Sequence, residues 1–241
     1  MDLSPAPGSP LITGDAVYGF TTGDFNDDGF DDVATVGETR NIHVRLGSAD
    51  GMFTPAPGSP FGTASTGSRH VAVHTGYFND DDSLDLLAAH SEEVNSYETY
   101  LGAGDGSFPA APDFTVTLPN SGPPSYYGAA SPVASSIGDL NKDGHPDLIV
   151  GMERPAIDIA LGNSDGSFTA QPGPIEIPET RFLDSMNTTT TGDYNGDGNL
   201  DIAMTMDGQA SSGLYVANGS GNGGITPAAN NPLQTEPKGQ V

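Results

Sequence analysis

The chain contains no cysteine, so neither disulfide bonds nor thiol chemistry can contribute to its structure or function. It has only 7 basic residues against 32 acidic ones, and the resulting formal net charge of −25 argues against nucleic acids and anionic membrane surfaces as partners. No apolar run is long enough to span a membrane, and long amphipathic helical patterns are absent. The 33 glycines and 20 prolines separate short apolar runs and predict an all-β fold.

Four Asp-rich segments of nine residues recur along the chain, and each leads directly into a short run of β-forming residues. Their starting positions are 53, 62 and 54 residues apart, which indicates an internal repeat. We refer to these segments as loops 1 to 4, and they comprise residues 24–32, 77–85, 139–147 and 193–201.

The residue types in these loops predict a calcium site. Side-chain oxygens at positions 1, 3, 5 and 9 can converge if the backbone coils tightly, and glycine at position 6 allows that coil. Hard oxygen donors suit Ca²⁺, whereas Mg²⁺ prefers a stricter octahedron and soft metals prefer Cys or His. By analogy with the helical calcium loop, the carbonyl at position 7 is the fifth ligand. The predicted ligands in loops 1, 3 and 4 are Asp24, Asn26, Asp28, Phe30 and Asp32; Asp139, Asn141, Asp143, His145 and Asp147; and Asp193, Asn195, Asp197, Asn199 and Asp201.

Loop 2 departs from this pattern. Tyr77 stands at position 1 and Asp82 replaces the glycine, although Asp tolerates the left-handed conformation better than most residues. Asn79, Asp81 and Asp85 remain as ligands, so we expect calcium binding at loop 2 to be weaker or absent. The alternative for any single loop is that Asp, Asn and Gly simply form a turn.

Each repeat reads as four strands. The first enters the acidic loop, the second leaves it, and the third precedes an Asp-Gly turn, which is a strong hairpin signal. The fourth carries proline, which is tolerated in edge strands. The second turns begin with G-S-A-D-G-M-F at Gly47, G-A-G-D-G-S-F at Gly102 and G-N-S-D-G-S-F at Gly162, with a looser copy near Asn218. Four-stranded antiparallel units at this spacing predict the blades of a β-propeller.

Two stretches carry a family resemblance: G-D-L-N-K-D-G-H-P-D-L-I-V-G from Gly138 and G-D-Y-N-G-D-G-N-L-D-I-A from Gly192. Together with the L-G-x-x-D-G-S-F turns, they resemble the FG-GAP or VCBS repeat family, the calcium-loop blades of integrin α-subunit propellers and of many bacterial secreted proteins. The resemblance implies a propeller of four-stranded antiparallel blades with calcium in the hairpin between the first two strands of each blade.

We therefore expect one propeller-like repeat domain over residues 1–241, either complete or a segment of a larger propeller. Its four units are predicted at about 15–60, 68–118, 131–178 and 186–233. Residues 1–14 resemble the outer strand of a preceding unit. An open array of blades would leave edges available for self-association.

Other residues suggest additional sites. His70 and His74 lie on one side of a predicted strand, where zinc could bind, although such residues are far more often ordinary strand-face side chains. Tyr126 and Tyr127, with Tyr97 and Tyr100, could form an aromatic platform for a sugar or peptide ligand. The alternative for these tyrosines is edge packing within a blade.

The predicted function is a non-enzymatic, calcium-stabilised module for extracellular recognition or adhesion, because no catalytic motif occurs outside the loops. Its expected partner is a protein or glycan of the cell surface or matrix. Calcium sites of modest affinity fill at extracellular concentrations, which favours a secreted protein, although the N-terminus has no signal peptide pattern. The alternatives are a carbohydrate-binding lectin propeller and an accessory domain of a secreted polysaccharide-active enzyme.

Overall fold

The computed structural model describes residues 16–39, 41–62, 70–90, 96–118, 132–152, 156–177, 185–207, 213–229 and 231. Within these ranges the chain forms strands, turns and bends, and it contains no helix, hence none that could cross a membrane. The chain divides into two compact units, the first within Met1–Thr117 together with Ser164–Ser167 and the second within Leu118–Asn163 and Phe168–Val241.

The described strands of the first unit form sheets 1 and 2, in which all neighbouring strands are antiparallel. In sheet 1, β5 pairs with β3 beside β4, so the outer edge is made of two short pieces. The strands of sheet 1 are β1 (Val17–Gly23), β2 (Asp32–Gly37), β3 (Asn41–Leu46), β4 (Thr54–Pro55) and β5 (Phe61–Gly62). Those of sheet 2 are β6 (His70–Gly76), β7 (Asp85–His90), β8 (Ser96–Tyr100) and β9 (Phe114–Thr117).

The second unit repeats this arrangement in sheets 3 and 4. The strands of sheet 3 are β10 (Pro132–Gly138), β11 (Asp147–Met152), β12 (Ala156–Gly162), β13 (Phe168–Ala170) and β14 (Ile175–Glu176). Those of sheet 4 are β15 (Ser185–Gly192), β16 (Asp201–Asp207), β17 (Gly213–Gly219) and β18 (Ile225–Pro227). The strand order in each sheet follows the chain, with β14 pairing beside β13 on β12.

The predicted all-β fold of four-stranded antiparallel, propeller-type blades is confirmed. In sheet 1 the second strand begins at Asp32, where the chain leaves loop 1, and the third strand precedes the Asp-Gly turn, as the sequence predicted. The outer strands are short because proline lacks the N–H group needed for a continuous ladder. The single-domain organisation and the unit boundaries stay predictions, and residues 1–14 lie outside the described part of the chain.

The core of the first unit combines aliphatic and aromatic side chains from sheets 1 and 2. Phe61 on β5 lies 5.4 Å from the Tyr100 ring and 5.5 Å from the Phe108 ring, measured between ring centroids. Tyr97 and Tyr100 are fully buried, and Tyr100 belongs to this core. Their burial excludes them from an exposed platform and agrees with the alternative of packing within a blade, whereas Tyr126 and Tyr127 lie outside the described residues.

The core of the second unit is mainly aliphatic. Buried side chains from sheet 3, such as Ile157 and Ile159, share one cluster with Ile202 and Met204 of sheet 4.

The histidine hypothesis gains no support from the described residues. Burial lowers the pKa of His74 to about 4, so the imidazole is neutral at physiological pH. The side chain of His70 lies outside the described residues. Among the residues that the structure describes, no group of three or more His, Cys, Asp or Glu side chains is placed to hold a metal ion.

The acidic loops as a candidate metal centre

All four acidic loops occupy the same place, the hairpin between the first two strands of a sheet. The ladder between these strands ends in every case at the Asp of position 9, which pairs with the glycine that precedes the loop. The four pairs are Gly23 with Asp32, Gly76 with Asp85, Gly138 with Asp147 and Gly192 with Asp201. The repeated sequence phrase therefore produces one repeated local structure.

The carboxylate at position 1 closes the coil of the backbone. In loop 1, the N–H groups of Asp28 and Gly29 donate to the two oxygens of Asp24 at 3.1 and 2.7 Å. Asp139 and Asp193 accept the equivalent N–H groups in loops 3 and 4 at 2.9 to 3.2 Å. The acidic residue at position 1 is thus held inside the coil by backbone donors.

Positions 3 and 5 are linked in every loop. The side-chain amide of Asn141 donates to the Asp143 carboxylate at 2.8 Å, and Asp143 accepts the N–H of His145 at 2.9 Å. The same two bonds occur in loops 1, 2 and 4. The carboxylate at position 5 is exposed in all four loops.

The carboxylate at position 9 is fully buried in all four loops and joins the loop to the third strand. Asp147 accepts the N–H of Leu140 at 2.8 Å through one oxygen and the N–H of Gly162 at 2.9 Å through the other. Loops 1, 2 and 4 repeat both bonds at 2.7 to 3.0 Å. A Cβ atom on Gly162 would collide with the carbonyl oxygen of Pro146, so only glycine brings its N–H this close.

Burial of the position 9 carboxylates disfavours their charged form. It raises the pKa of Asp85 and of Asp147 to about 6, although the two backbone N–H donors oppose this shift. Burial also raises the pKa of Asp32, again against two N–H donors. A bound cation would lower the pKa of these carboxyl groups, because a nearby positive charge favours the carboxylate form.

Loop 2 differs in its backbone as well as in its sequence. Positions 4 and 6 have positive φ in loop 1, where Asp27 has φ 61° and Gly29 has φ 87°, and loops 3 and 4 share this feature. Asp80 and Asp82, which are described, are not among the residues with positive φ. Asp82 therefore does not adopt the left-handed conformation that Asp can tolerate, and Tyr77 at position 1 is 54% exposed.

The donors of loops 1, 3 and 4 fit calcium in their chemistry, since they are oxygen atoms of Asp, Asn and a backbone carbonyl. Position 9 does not conflict with this role, because a carboxylate has about four acceptor sites and the two backbone N–H groups use only two. Three of the five predicted ligands in each of these loops are Asp side chains, and in the described residues these three do not by themselves form a cluster placed to hold a metal ion. The ligand sets given by the sequence stay predictions.

The second turns of sheets 2 and 4 contact the acidic loop of the preceding sheet, a feature that the sequence did not reveal. Gly106 donates its N–H to the carbonyl of Phe25 at 2.8 Å, and Gly223 does the same to Leu140 at 3.2 Å. The Phe108 ring, two residues after Gly106, meets the Phe25 ring edge-on, with 5.6 Å between centroids.

Loop 2 receives a related contact inside the first unit. Residues 164–167 supply an antiparallel bridge between Asp165 and Asn79, and the N–H of Asp80 donates to the carbonyl of Ser164 at 3.1 Å. A loop that was predicted only as a metal site is therefore also a docking platform for a second turn.

Comparison with known proteins is consistent with this architecture. A family model described as FG-GAP-like repeat matches residues 24–88, 77–150 and 139–204. Each match begins at the first residue of an acidic loop and ends within the second strand of the following sheet. No curated protein matches the chain.

Among solved structures, two of BBS1N in complex with ARL6DN are similar, one from a crystal soaked with lead and the other with mercury. Their TM-scores are 0.55 and 0.52 at 15% identity, with 88% and 86% of this chain covered. The chain spans 56% and 51% of the length of those chains, and at this identity the likeness shows the fold alone.

Repeat-propeller families are generally non-enzymatic, and the fold supports a general role as a protein-interaction module. The three family matches together extend from residue 24 to residue 204 of the 241 residues. The chain belongs to the FG-GAP-like repeat family.

Proposed function

We propose that the protein is a non-enzymatic, calcium-stabilised module for extracellular recognition or adhesion. One observation carries the calcium part of this proposal. Loops 1, 3 and 4 repeat the same hydrogen-bonded arrangement of two carboxylates and one amide around positions of positive φ, and loop 2 departs from it in sequence and backbone together.

The expected contribution of calcium is large for a domain of this size. If each site has a Kd of ~0.1 mM and free calcium is ~1 mM, binding stabilises the folded state by about 1.4 kcal/mol per site. Three sites then contribute about 4 kcal/mol, which is comparable with the whole stability of a marginal domain.

Removal of calcium tests this part directly. We expect excess EGTA to lower the melting temperature by about 10 °C, since 1 kcal/mol corresponds to about 2–4 °C at this chain length. Asp143→Asn, which weakens one exposed carboxylate donor of loop 3, should reduce the calcium-dependent shift, while Asp81→Asn in loop 2 is the matched control and should not. An unchanged melting curve in EGTA would contradict structural calcium.

The proposed partner is a protein on a cell surface or in the extracellular matrix. Support comes from the family fold and from the calcium chemistry, because sites of modest affinity fill at extracellular concentrations and stay mostly empty in cytosol. The similar solved structures are themselves protein–protein complexes. Binding of the labelled protein to cells, with and without EGTA, tests the proposal, and equal binding to protease-treated cells would contradict a protein partner.

A groove in the second unit favours carbohydrate as a second candidate ligand. It encloses about 290 Å³, and its lining includes the apolar residues Ile159 and Ile175 and the amide-bearing residues Gln171 and Asn222. By strand register, Ile175 occupies the place that the ring of Phe61 fills in the first unit. An apolar floor with amide groups suits a small hydroxylated ring.

A glycan array distinguishes this candidate from the protein-ligand proposal. Ile175→Phe should narrow the groove with the side chain found in the first unit, so it should weaken glycan binding while preserving the fold. A glycan signal that is unchanged in this variant would place the binding site elsewhere.

A further inference from the structure

The chain contains three Asn-Gly pairs, at residues 195–196, 218–219 and 222–223. This pair is chemically labile, because the peptide nitrogen of the glycine can attack the side-chain amide of the asparagine and glycine has no Cβ to hinder the approach. The attack closes a cyclic imide and releases ammonia. As sequence, the three pairs are alike, so a difference in their reactivity has to come from the fold.

The fold protects two of these pairs. Gly219 is buried, and its N–H donates to the buried carboxylate of Asp201 at 2.9 Å. Gly223 is also buried, and its N–H donates to the carbonyl of Leu140 at 3.2 Å, in the contact between loop 3 and the second turn of sheet 4. In both pairs the attacking nitrogen is held by an acceptor that is distant in sequence, so the reaction requires a tertiary contact to open.

The pair in loop 4 is exposed and is held in hydrogen bonds that favour the reaction. The N–H of Gly196 donates to the carboxylate of Asp193 at 2.7 Å, and this base draws the proton away from the nitrogen. The side-chain carbonyl of Asn195 accepts the N–H of Asp197 at 2.8 Å, which makes its carbon atom more electrophilic. Both bonds lie within the loop, so no distant contact has to open first.

The exposure of position 4 does not depend on what lies against the loop. Loops 1 to 3 each receive a second turn, and their position 4 residues, Asp27, Asp80 and Lys142, are nevertheless exposed. Asparagine stands at position 3 of all four loops, and its side-chain oxygen accepts the N–H of position 5 at 2.8 to 3.3 Å in each. Only loop 4 combines this asparagine with glycine at position 4.

We propose that Asn195 is a site of spontaneous deamidation, which replaces the amide at position 3 of loop 4 by a carboxylate. The nitrogen of Gly196 gives its proton to Asp193 and bonds to Cγ of Asn195, while the bond from Cγ to the side-chain nitrogen breaks. That nitrogen leaves as ammonia with the proton from Asp193, so the carboxylate is regenerated. Water then opens the imide at one of its two carbonyl groups and leaves either aspartate or isoaspartate.

Both products change loop 4. Each adds a negative charge to a chain whose formal net charge is already −25. Aspartate keeps the backbone and supplies a further oxygen donor at position 3. Isoaspartate lengthens the main chain by one carbon atom between positions 3 and 4, inside the coil in which Asp193 accepts the N–H of Gly198 at 2.9 Å. This product should therefore disrupt the coil.

Peptide mapping by mass spectrometry measures each site after incubation of the full chain in EGTA. In the folded protein, Asn195 should react at least ~10-fold faster than Asn218 and Asn222, because a buried N–H is rarely released from its acceptor. Incubation in urea is the control for sequence effects, and there the three sites should react at similar rates, with Asn195 no faster than in the folded chain. Equal rates at the three sites of the folded protein, or faster reaction of Asn195 in urea, would overturn the proposal.

Exchange of position 4 between loops gives matched variants. Lys142 has φ 63° at this position, and a Cβ built on Gly196 (φ 78°) meets nothing within 4 Å, so Gly196→Lys should preserve the coil and stop the reaction at Asn195. Lys142→Gly should in turn make Asn141 reactive in the folded protein. Continued reaction of Asn195 in the first variant, or a stable Asn141 in the second, would overturn the proposal.

Calcium should slow the reaction, a consequence that rests on the proposed function. Asp193 is a predicted ligand, and a nearby cation makes a carboxylate a weaker proton acceptor. We therefore expect slower deamidation of Asn195 in calcium than in EGTA. Equal rates in a protein that calcium stabilises against heat would overturn this protection. If calcium changes neither the rate nor the melting temperature, the proposed calcium site fails, whereas selective reaction of Asn195 in EGTA still supports the deamidation site.

Discussion

Replacement of Asp147 by asparagine separates the two roles of an acidic loop, the hydrogen-bonded junction at position 9 and the exposed donors at position 5. Asp147 is fully buried, and its two oxygens accept the N–H groups of Leu140 and Gly162 at 2.8 and 2.9 Å. Asparagine has one side-chain oxygen, so Asp147→Asn places a donor NH₂ group against one of these two N–H donors.

The loss of stability in Asp147→Asn can be estimated from these two hydrogen bonds. A hydrogen bond to a charged group contributes about 1.5–3 kcal/mol, and a buried donor left without an acceptor costs about 1–3 kcal/mol. The neutral side chain recovers part of this loss, because burial already disfavours the carboxylate and raises its pKa to about 6. We therefore expect Asp147→Asn to lower the free energy of unfolding by about 3 kcal/mol.

Urea denaturation in calcium and in EGTA is the assay, with Asp143→Asn as the control at position 5 of the same loop. Asp147→Asn should be destabilised in both buffers, because the junction exists without metal. Asp143→Asn should be destabilised mainly in calcium, because its carboxylate is exposed. If Asp147→Asn matched the original protein in EGTA, the hydrogen-bonded junction would not stabilise the fold and the reasoning would be refuted.

Three further predictions use other parts of the structure. Tyr77→Asp combined with Asp82→Gly should restore loop 2, so titration calorimetry should detect one more calcium per chain than in the original protein; an unchanged stoichiometry would contradict this. Gly106→Ala should lower the free energy of unfolding more than Gly58→Ala does, as measured by urea denaturation. The two glycines have similar φ (81° and 75°), but only at Gly106 would a Cβ meet Leu46, at 2.8 Å. Equal losses of stability would show that this close approach is unimportant. Burial raises the pKa of Asp85 from 3.8 to about 6, so in EGTA the contribution of its protonated form to stability is complete below pH 3.8 and is lost as the pH rises through 6. The free energy of unfolding should therefore fall between these two pH values. Asp85→Asn should make this fall smaller.

The sequence predicted the strands next to the acidic loops well because that part of the structure is local. Asp at position 9 and glycine before position 1 are the residues at which the hairpin ladder ends, so the loop phrase itself marks the boundaries of two strands. The third strand was also predictable, because an Asp-Gly turn follows it at nearly constant distance.

The partners of position 9 could not be derived from the loop alone, because they lie in another strand. Asp32 and Asp147 each accept an N–H from a glycine 15 residues later, and in loops 2 and 4 the separation is 17 and 18 residues. A signal was present, since every position 9 Asp is followed by this glycine at the end of the third strand. The burial of Tyr97 could not be derived from alternation along β8, because four consecutive residues of this strand are buried.

Each acidic loop is both a predicted calcium site and a docking platform for a second turn, so calcium binding should affect the contacts between sheets. The carbonyl of Phe25, at position 2 of loop 1, accepts the N–H of Gly106, while the N–H of the same residue donates to Asp32 at position 9. A cation held by loop 1 would restrain positions 1, 3, 5 and 9 together and thereby fix the peptide groups on both sides of Phe25. Calcium removal should then loosen the docking of the second turn of sheet 2 on loop 1 as well as loop 1 itself. Because loop 2 departs from the coil of positive φ and holds its turn through Asn79 and Asp80, its docking contact should be the least sensitive to calcium.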